Sequence, residues 1–310
     1  MKKISIATGC YNEEENIPEL YRQILDAFEL FKDRYEYEII IADNASNDRT
    51  PQILREIAAK DKHFKIIFNS RNFGANRSSY NAIMQARGDA VITMASDLQN
   101  PPAMIKDFIE KWEQGYKIVV AVKTDSEESH IVFALRTLYY KTLEKLSEVK
   151  LISHFTGFGL YDQQVIEILR HLQEPYPYFR GLISDIGFEP AVVEYVQPAR
   201  IHGKSKSNLF HLYDVALLGI ISYSKIPLRM ATIIGFISAF FSFTIGMFYF
   251  LYKLLFWNSF SLGVAPLAIG LFFFASIQLI FLGIMGEYIL MIYIQVLKRP
   301  LVYENERINF

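Results

Sequence analysis

Along the first hundred residues, short apolar runs alternate with polar turns and with longer segments of helical spacing. Ile4 to Thr8 suits a strand, Gly9 to Glu14 is a polar turn, and Ile17 to Phe31 reads as a helix. The pattern returns as a strand over Tyr37 to Ala42, the turn Asp43-Asn44-Ala45-Ser46-Asn47-Asp48 and a helix over Pro51 to Lys60. A third unit has a strand at Lys65 to Asn69, the turn Arg71-Asn72-Phe73-Gly74 and a helix from Asn76 to Arg87. The fourth strand, Val91 to Ala95, breaks at Ser96-Asp97 and is stopped by Pro101-Pro102. Repeated strand, turn and helix predict an α/β fold around a mostly parallel sheet. In such sheets ligands collect beyond the carboxyl ends of the strands, so one edge would gather Glu13, Asp43, Asp48, Arg71 and Asp97. Taken alone, Asp97 fits two readings: a ligand at that edge, or a cap on the helix beginning near Pro101.

Past Pro102 the pattern predicts a helix over Ala103 to Gln114, a strand over Lys117 to Val122 and a helix over Ile131 to Ser147. The polar stretch Thr124 to Ser129 reads as a loop over the site. Tyr176 to Phe188 ends in a helix carrying Arg180 and Asp185, Tyr195 to Arg200 reads as an edge strand, and IHGKSKS at 201–207 is a basic loop. Then the pattern changes. No charge occurs from Met230 to Tyr252 or from Leu254 to Gly286, each long enough to cross a bilayer once, with Trp257-Asn258-Ser259 as the turn. Asn208 to Lys225 has an apolar face suited to the membrane interface. The expected division is a soluble domain at 1–206, an interfacial region at 207–228, two transmembrane helices at 229–297 and a tail at 298–310. Lys225, Arg229, Lys298 and Arg299 flank the hairpin, whereas its turn has only Lys253 nearby. That bias predicts a multi-pass protein of the inner or plasma membrane, with the soluble domain and both termini cytoplasmic.

Charge and composition narrow the chemistry. A net charge of −1 over 310 residues gives no electrostatic footprint for nucleic acid. The single cysteine, Cys10, allows no internal disulfide, and the acids after the short apolar start argue against a signal peptide. No turn carries G-x-G-x-x-G or G-x-x-x-x-G-K-[ST], which argues against a dinucleotide fold or a P-loop. The predicted edge is instead acidic and amide-rich, with Arg71 and Arg77 as cations. That mixture suits ribose hydroxyls, a base edge and a metal-bound diphosphate.

The order of Tyr11-Asn12-Glu13-Glu14, the Asp43 to Asp48 turn, Arg71-Asn72-Phe73-Gly74, Ser96 to Pro102 and Arg200-Ile201-His202-Gly203-Lys204-Ser205-Lys206, followed by two spans, resembles the family-2 glycosyltransferases. More narrowly it is similar to their polyprenyl-phosphate branch, the relatives of dolichol-phosphate mannose synthase and the GtrB-type glucosyltransferases. The resemblance covers nearly the whole chain and implies a GT-A catalytic domain. It implies inverting transfer of a hexose from a nucleotide-diphosphate sugar, with a lean to UDP-glucose or a related UDP-hexose, onto polyprenyl (undecaprenyl) phosphate. It also implies Mg²⁺ or Mn²⁺ as cofactor, contact with membrane lipids, and a homo-oligomer, a tetramer.

Carried over by position, the resemblance assigns Tyr11, Asn12, Glu13, Asp43, Asn44, Arg71, Ser96 and Gln99 to the donor and Asp97 to the metal, with Arg200 and Lys206 on phosphates. Cations near the acceptor suit an anion approaching a site already rich in phosphate. Two departures stand out. Ala95 occupies the first position of the family's usual Asp-x-Asp, and Thr156-Gly157 runs into Phe158-Gly159 where relatives carry an Asp assigned as base. Asp185 is the expected substitute base, and Asp162 follows it, with a cap on the helix near Gln163 as the other reading of Asp162. Two further readings remain: a different membrane glycosyltransferase or polysaccharide synthase, which generally needs more spans, and a silent nucleotide-sugar-binding relative, which would not need to keep Asp97, Arg200 and Lys206.

Overall fold

The computed structural model describes residues 1–126, 149, 151–200, 217–256 and 264–310. The helix expected at 131–147, the loop residues 127–129, the basic residues Lys204 and Lys206, segment 208–216 and the Trp257 turn lie outside the described residues.

Four parallel strands form the centre: β1 (Lys2–Cys10), β2 (Tyr35–Asp43), β3 (Phe64–Asn69) and β4 (Ala90–Thr93). Helices α1 (Ile17–Phe28), α2 (Thr50–Lys60) and α3 (Ala75–Gln85) connect them. After α4 (Ile105–Glu113) come β5 (Ile118–Ser126) and β6 (Phe155–Asp162), then α5 (Gln163–Leu172), α6 (Phe179–Asp185) and β7 (Ala191–Gln197). Two long helices, α7 (Ile226–Leu255) and α8 (Val264–Leu297), precede a last strand, β8 (Glu304–Ile308). The sheet order is β7-β5-β6-β4-β1-β2-β3-β8, with β6 antiparallel to both neighbours and β8 antiparallel to β3.

Alternation along the strands gives the sheet two apolar faces. Ile39 and Ile41 pack with α1, α2 and α4, whereas Ile40 and Ala42 pack with α3 and α5. Each fully buried isoleucine contributes roughly 1.5–3 kcal/mol. Helices therefore cover both faces, as a parallel sheet requires. From β1 the chain builds outward through β2 to β3, then returns to place β4 on the other side of β1. The crevice between the carboxyl ends of β1 and β4 is thus the topological switch point, where α/β sheets bind ligands. Gly9 lets α3 approach β1 there, because a Cβ would lie 2.6 Å from Ser79 Oγ.

Two local expectations change. The stretch from Thr124 is not loop at its start, since β5 runs to Ser126 and pairs with β7. The C-terminal segment becomes β8: Ser70 N–H donates to the Tyr303 carbonyl at 2.8 Å, and the Asn309 amide donates to the carbonyls of Ala58, Asp61 and Phe64. The sheet is therefore completed by residues that follow the apolar helices, and β3 does not remain an open edge. α7 and α8 are long and apolar enough to cross a membrane, and large side chains such as Phe236 (74% exposed) and Phe272 (70% exposed) are turned outward. Apolar surface of that extent marks association with a membrane.

Candidate active site

The turn after β1 is tied to the turn after β2. Asn12 N–H donates to Ser46 Oγ at 2.8 Å, Asn47 N–H returns to Asn12 Oδ1 at 2.8 Å, and Glu13 N–H donates to Thr50 Oγ1 at 2.9 Å. Asn12, Ala45 and Leu98 have φ of 54°, 62° and 63°, so the turns after β1, β2 and β4 each hold a non-glycine residue in the left-handed region. Such backbone costs energy and persists where neighbouring contacts enforce it.

Asp43 is buried at the end of β2 and accepts from Ser46 N–H at 3.2 Å and Ser46 Oγ at 2.5 Å. Burial raises its pKa above the usual carboxylate value despite those donors. The Cys10 thiol, 3.7 Å from Asp43, is pushed well up by burial and then by Asp43 and Glu13, so it is an unreactive packing group. Asn44 fixes the turn after β3: its Oδ1 accepts from Phe73 N–H at 2.9 Å and Asn69 Nδ2 at 3.2 Å, while its Nδ2 donates to Asn72 Oδ1 at 2.9 Å.

Arg200 joins the two sides of the switch point. Its Nη2 donates to Glu13 Oε1 at 2.6 Å, and its Nη1 lies 3.6 Å from Asp97 Oδ2. Asp97 also accepts from Gln99 N–H at 3.2 Å. Next to this array is a cavity of about 380 Å³ lined by Tyr11, Glu13, Asn44, Asn72, Ser96 and Arg200, among others. A second cavity of about 340 Å³ adjoins it at Ala75 and is lined by Gln99, Asn100, Lys123, Thr156 and Gln197, among others. Ala75 is the first residue of α3, so a helix N-terminus faces both spaces.

Most of the residues named from sequence therefore meet. Tyr11, Glu13, Asn44, Ser96 and Arg200 line the first cavity, Gln99 the second, and Asn12 and Asp43 shape the turns between them. Arg71 is turned aside, exposed and stacked over Phe73 at 3.9 Å, with Nη1 on the Asn72 carbonyl. Lys206 lies outside the described residues.

The two acids expected as base are elsewhere. Asp162 ends β6, which runs antiparallel to β4, so it sits opposite Ala90 at the far end of the sheet from Asp97. There it caps α5 through Gln164 N–H at 3.0 Å and accepts from Trp112 Nε1 at 2.7 Å, with Lys117 at 3.2 Å. Burial opposes its charge, yet Trp112, Gln164 and Lys117 together hold its pKa below the ordinary value. Asp162→Ala is expected to cost about 2–4 kcal/mol in stability, as a lost cap and an orphaned buried indole N–H, with KM unchanged. Thermal unfolding alongside donor titration checks this, and a selective loss of turnover would return Asp162 to the chemistry. Asp185 closes α6, whose first residue, Phe179, lines the second cavity. Asp185 instead lines a separate space of about 430 Å³ with Tyr223 and Gln295.

Residues 5–168 match Glycosyl transferase family 2. The chain belongs to that family. It is 36% identical over 299 residues to the SfII prophage-derived bactoprenol glucosyl transferase of Shigella flexneri, covering 96% of each chain. It is 34% identical to the prophage bactoprenol glucosyl transferase homolog of Escherichia coli strain K12, covering 96% of this chain and 97% of that one. Among solved structures, the mannosyltransferase PcManGT from Pyrobaculum calidifontis in complex with GDP-Man and Mn²⁺ is 14% identical, with a TM-score of 0.45 over 71% of this chain and 62% of that one.

This family 2 glycosyltransferase has no cluster of three or more His, Cys, Asp or Glu able to hold a metal among the described residues. One carboxylate, Asp97, in the turn between Ser96 of the first cavity and Gln99 of the second, nevertheless fits a hard divalent ion that takes its remaining ligands from donor phosphate and water. Sequence reading passed over Lys123, Thr156 and Gln197, because they lie on β5, β6 and β7, where only the sheet order brings them beside β4. Asn100 was within reach of sequence: it lies in the Asp97 turn and accepts from Ala95 N–H at 2.7 Å.

Proposed function

We propose that this glycosyltransferase moves a hexose from a nucleotide-diphosphate sugar, UDP-glucose or a related UDP-hexose, to polyprenyl phosphate at the cytoplasmic face of a membrane. The observation that carries this reading is the Glu13–Arg200–Asp97 array at the switch point, flanked by two adjoining cavities. The bactoprenol glucosyl transferases at 34–36% identity support the lipid acceptor. β8 supports a common side for the termini, since a chain that crosses twice must return to the sheet it left.

In this reading Tyr11 and Asn44 receive the nucleoside in the first cavity, whose adjoining turn Asp43 holds through Ser46, and the sugar lies in the second, within reach of Gln99, Asn100 and Thr156. Asp97 would hold Mg²⁺ or Mn²⁺, and the ion would supply charge neutralisation at the diphosphate. Arg200 exchanges its carboxylates for donor phosphate, and the α3 N-terminus adds backbone N–H groups. An oxygen of the acceptor phosphate then attacks the anomeric carbon, the bond to the nucleoside diphosphate breaks, and configuration inverts. Because the attacking phosphate is already ionised near neutral pH, no carboxylate base is required, in keeping with the positions of Asp162 and Asp185.

The test is thermal shift with UDP-glucose, other UDP-hexoses and GDP-mannose, each with and without Mg²⁺, followed by transfer of radiolabel from the best donor to polyprenyl phosphate. A metal-dependent, organic-extractable product is expected. Its absence with every donor would overturn the reading.

A further inference from the structure

Where α8 leaves its apolar stretch, a cavity of about 530 Å³ opens between that helix end and the catalytic domain. Its floor is apolar, with Met84, Leu169 and Leu301, and its rim carries Arg170, Lys298 and Arg299. We propose that this cavity is a binding site for the phosphodiester headgroup of an anionic glycerophospholipid, with Lys298 and Arg299 as the ligands.

The walls are fixed from both sides. Gln295 Nε2 donates to Glu174 Oε1 and Oε2 at 3.1 and 3.0 Å, pinning α8 to the turn after α5. Five residues on, the Pro300 carbonyl accepts from Arg77 Nη2 at 2.8 Å. Lys298 ends the helix in the left-handed region with φ of 46°, so the chain turns sharply there and carries Arg299 back toward the domain. The cations are thus held between two anchors on the catalytic domain, which lowers the ordering cost of binding.

Charge singles out the same pair. Arg170 is committed to the Met84 and Ala86 carbonyls and to Glu167, and Glu174 is engaged by Gln295. Lys298 and Arg299 are exposed and form no ion pair among the described residues. With Glu174 as the only acid among the described residues that line the cavity, positive charge exceeds negative on its rim. Level and shape point to a lipid. Ile292 (61% exposed), Tyr293 (56%) and Val296 (72%) lie just before the cations on α8, so acyl chains have apolar surface directly beneath a headgroup seated at the rim. Basic pockets at the cytoplasmic end of membrane helices take anionic headgroups for this reason. The inference rests on α7 and α8 lying in a bilayer and is independent of which sugar is transferred.

The experiment uses the purified full chain in neutral detergent, with thermal unfolding read after addition of dioctanoyl phosphatidylglycerol, dioctanoyl phosphatidylcholine or inorganic phosphate. Phosphatidylglycerol is expected to raise Tm by roughly 3–6 °C more than phosphatidylcholine does. K298Q/R299Q should lose most of that difference, and the charge-preserving K298R/R299K should keep it. K225Q/R229Q, which removes two cations at the start of α7 that do not line the cavity, should keep it as well. Equal shifts with the two lipids, or a difference that survives in K298Q/R299Q, would overturn the site. Loss of the difference to the same extent in K225Q/R229Q would reduce it to general surface attraction, and reproduction of the shift by inorganic phosphate would rule out a lipid. If K298Q/R299Q does not fold, Arg299→Gln alone carries the test, with about half the difference expected to disappear. Failure of the chain to insert into vesicles would be a separate result, against the membrane reading of α7 and α8.

Discussion

Asp97→Asn is expected to lower transfer by about 10²–10³-fold while leaving Tm within a few degrees. The magnitude is that of removing one preorganised electrostatic partner from a reacting centre. Stability should hold because the side chain takes part in one hydrogen bond, from Gln99 N–H at 3.2 Å, which an asparagine oxygen also accepts. Arg200 keeps its closer partner, Glu13, at 2.6 Å. The measurement is initial rate of label transfer to polyprenyl phosphate across a Mg²⁺ titration. With Ala95 at the other family position, no second carboxylate takes over, so the residual rate should respond only weakly to the metal. Activity within tenfold of the parent, with the same metal dependence, would remove Asp97 from the site.

Glu38→Gln is expected to lower stability by about 3 kcal/mol and to leave donor affinity alone. Glu38 lies on β2 with 2% of its surface exposed, between Lys65 Nζ at 2.7 Å, Ser5 Oγ at 2.6 Å and Arg87 N–H at 2.7 Å. Removing one partner of a buried pair leaves the other charge uncompensated, which costs about 3–5 kcal/mol, and the partial exposure of Lys65 puts the effect at the low end. Burial opposes the Glu38 charge, but Lys65, Ser5 and Arg87 hold its pKa below the ordinary glutamate value. A depressed folded-state pKa means stability that is fully present above the unfolded value of about 4.3 and is lost as pH falls through the folded one. The Tm gap between parent and variant, roughly 6–10 °C near neutrality, should therefore close at acid pH. A gap independent of pH would show that the carboxylate's charge is not what stabilises this corner of the sheet.

The two predictions concern different strands of one sheet, Asp97 beyond the carboxyl end of β4 and Glu38 in the first half of β2, and they differ in how far sequence foretold them. Asp97 was marked by its place, a carboxylate breaking an apolar run before two prolines. Glu38 had no such mark: it stands in the run Tyr37 to Ala42 as one acid among strand residues, and its partners are 27 to 49 positions away. The same contrast separates Glu13 and Arg200, 187 residues apart and joined at 2.6 Å, from the Asn12 and Ser46 turns, which were legible as polar clusters without their mutual hydrogen bonds. Asp162 and Asp185 were chosen as acids near a missing motif, and distance along the chain misled in both cases. The antiparallel direction of β6 carries Asp162 to the wrong end of the sheet, and α6 leads Asp185 away toward α8.

By itself the sequence determined the α/β class, the strand ends that bear polar turns, the two long apolar helices and the family, because periodicity and motif order are local properties of a chain. Only the tertiary structure decided the switch point between β1 and β4, the bridging of Glu13 and Asp97 by Arg200, the removal of two acids from the site and the return of Glu304–Ile308 to the sheet edge. Strand order and strand direction set these, and both arise from packing between segments far apart in sequence, which no local pattern encodes.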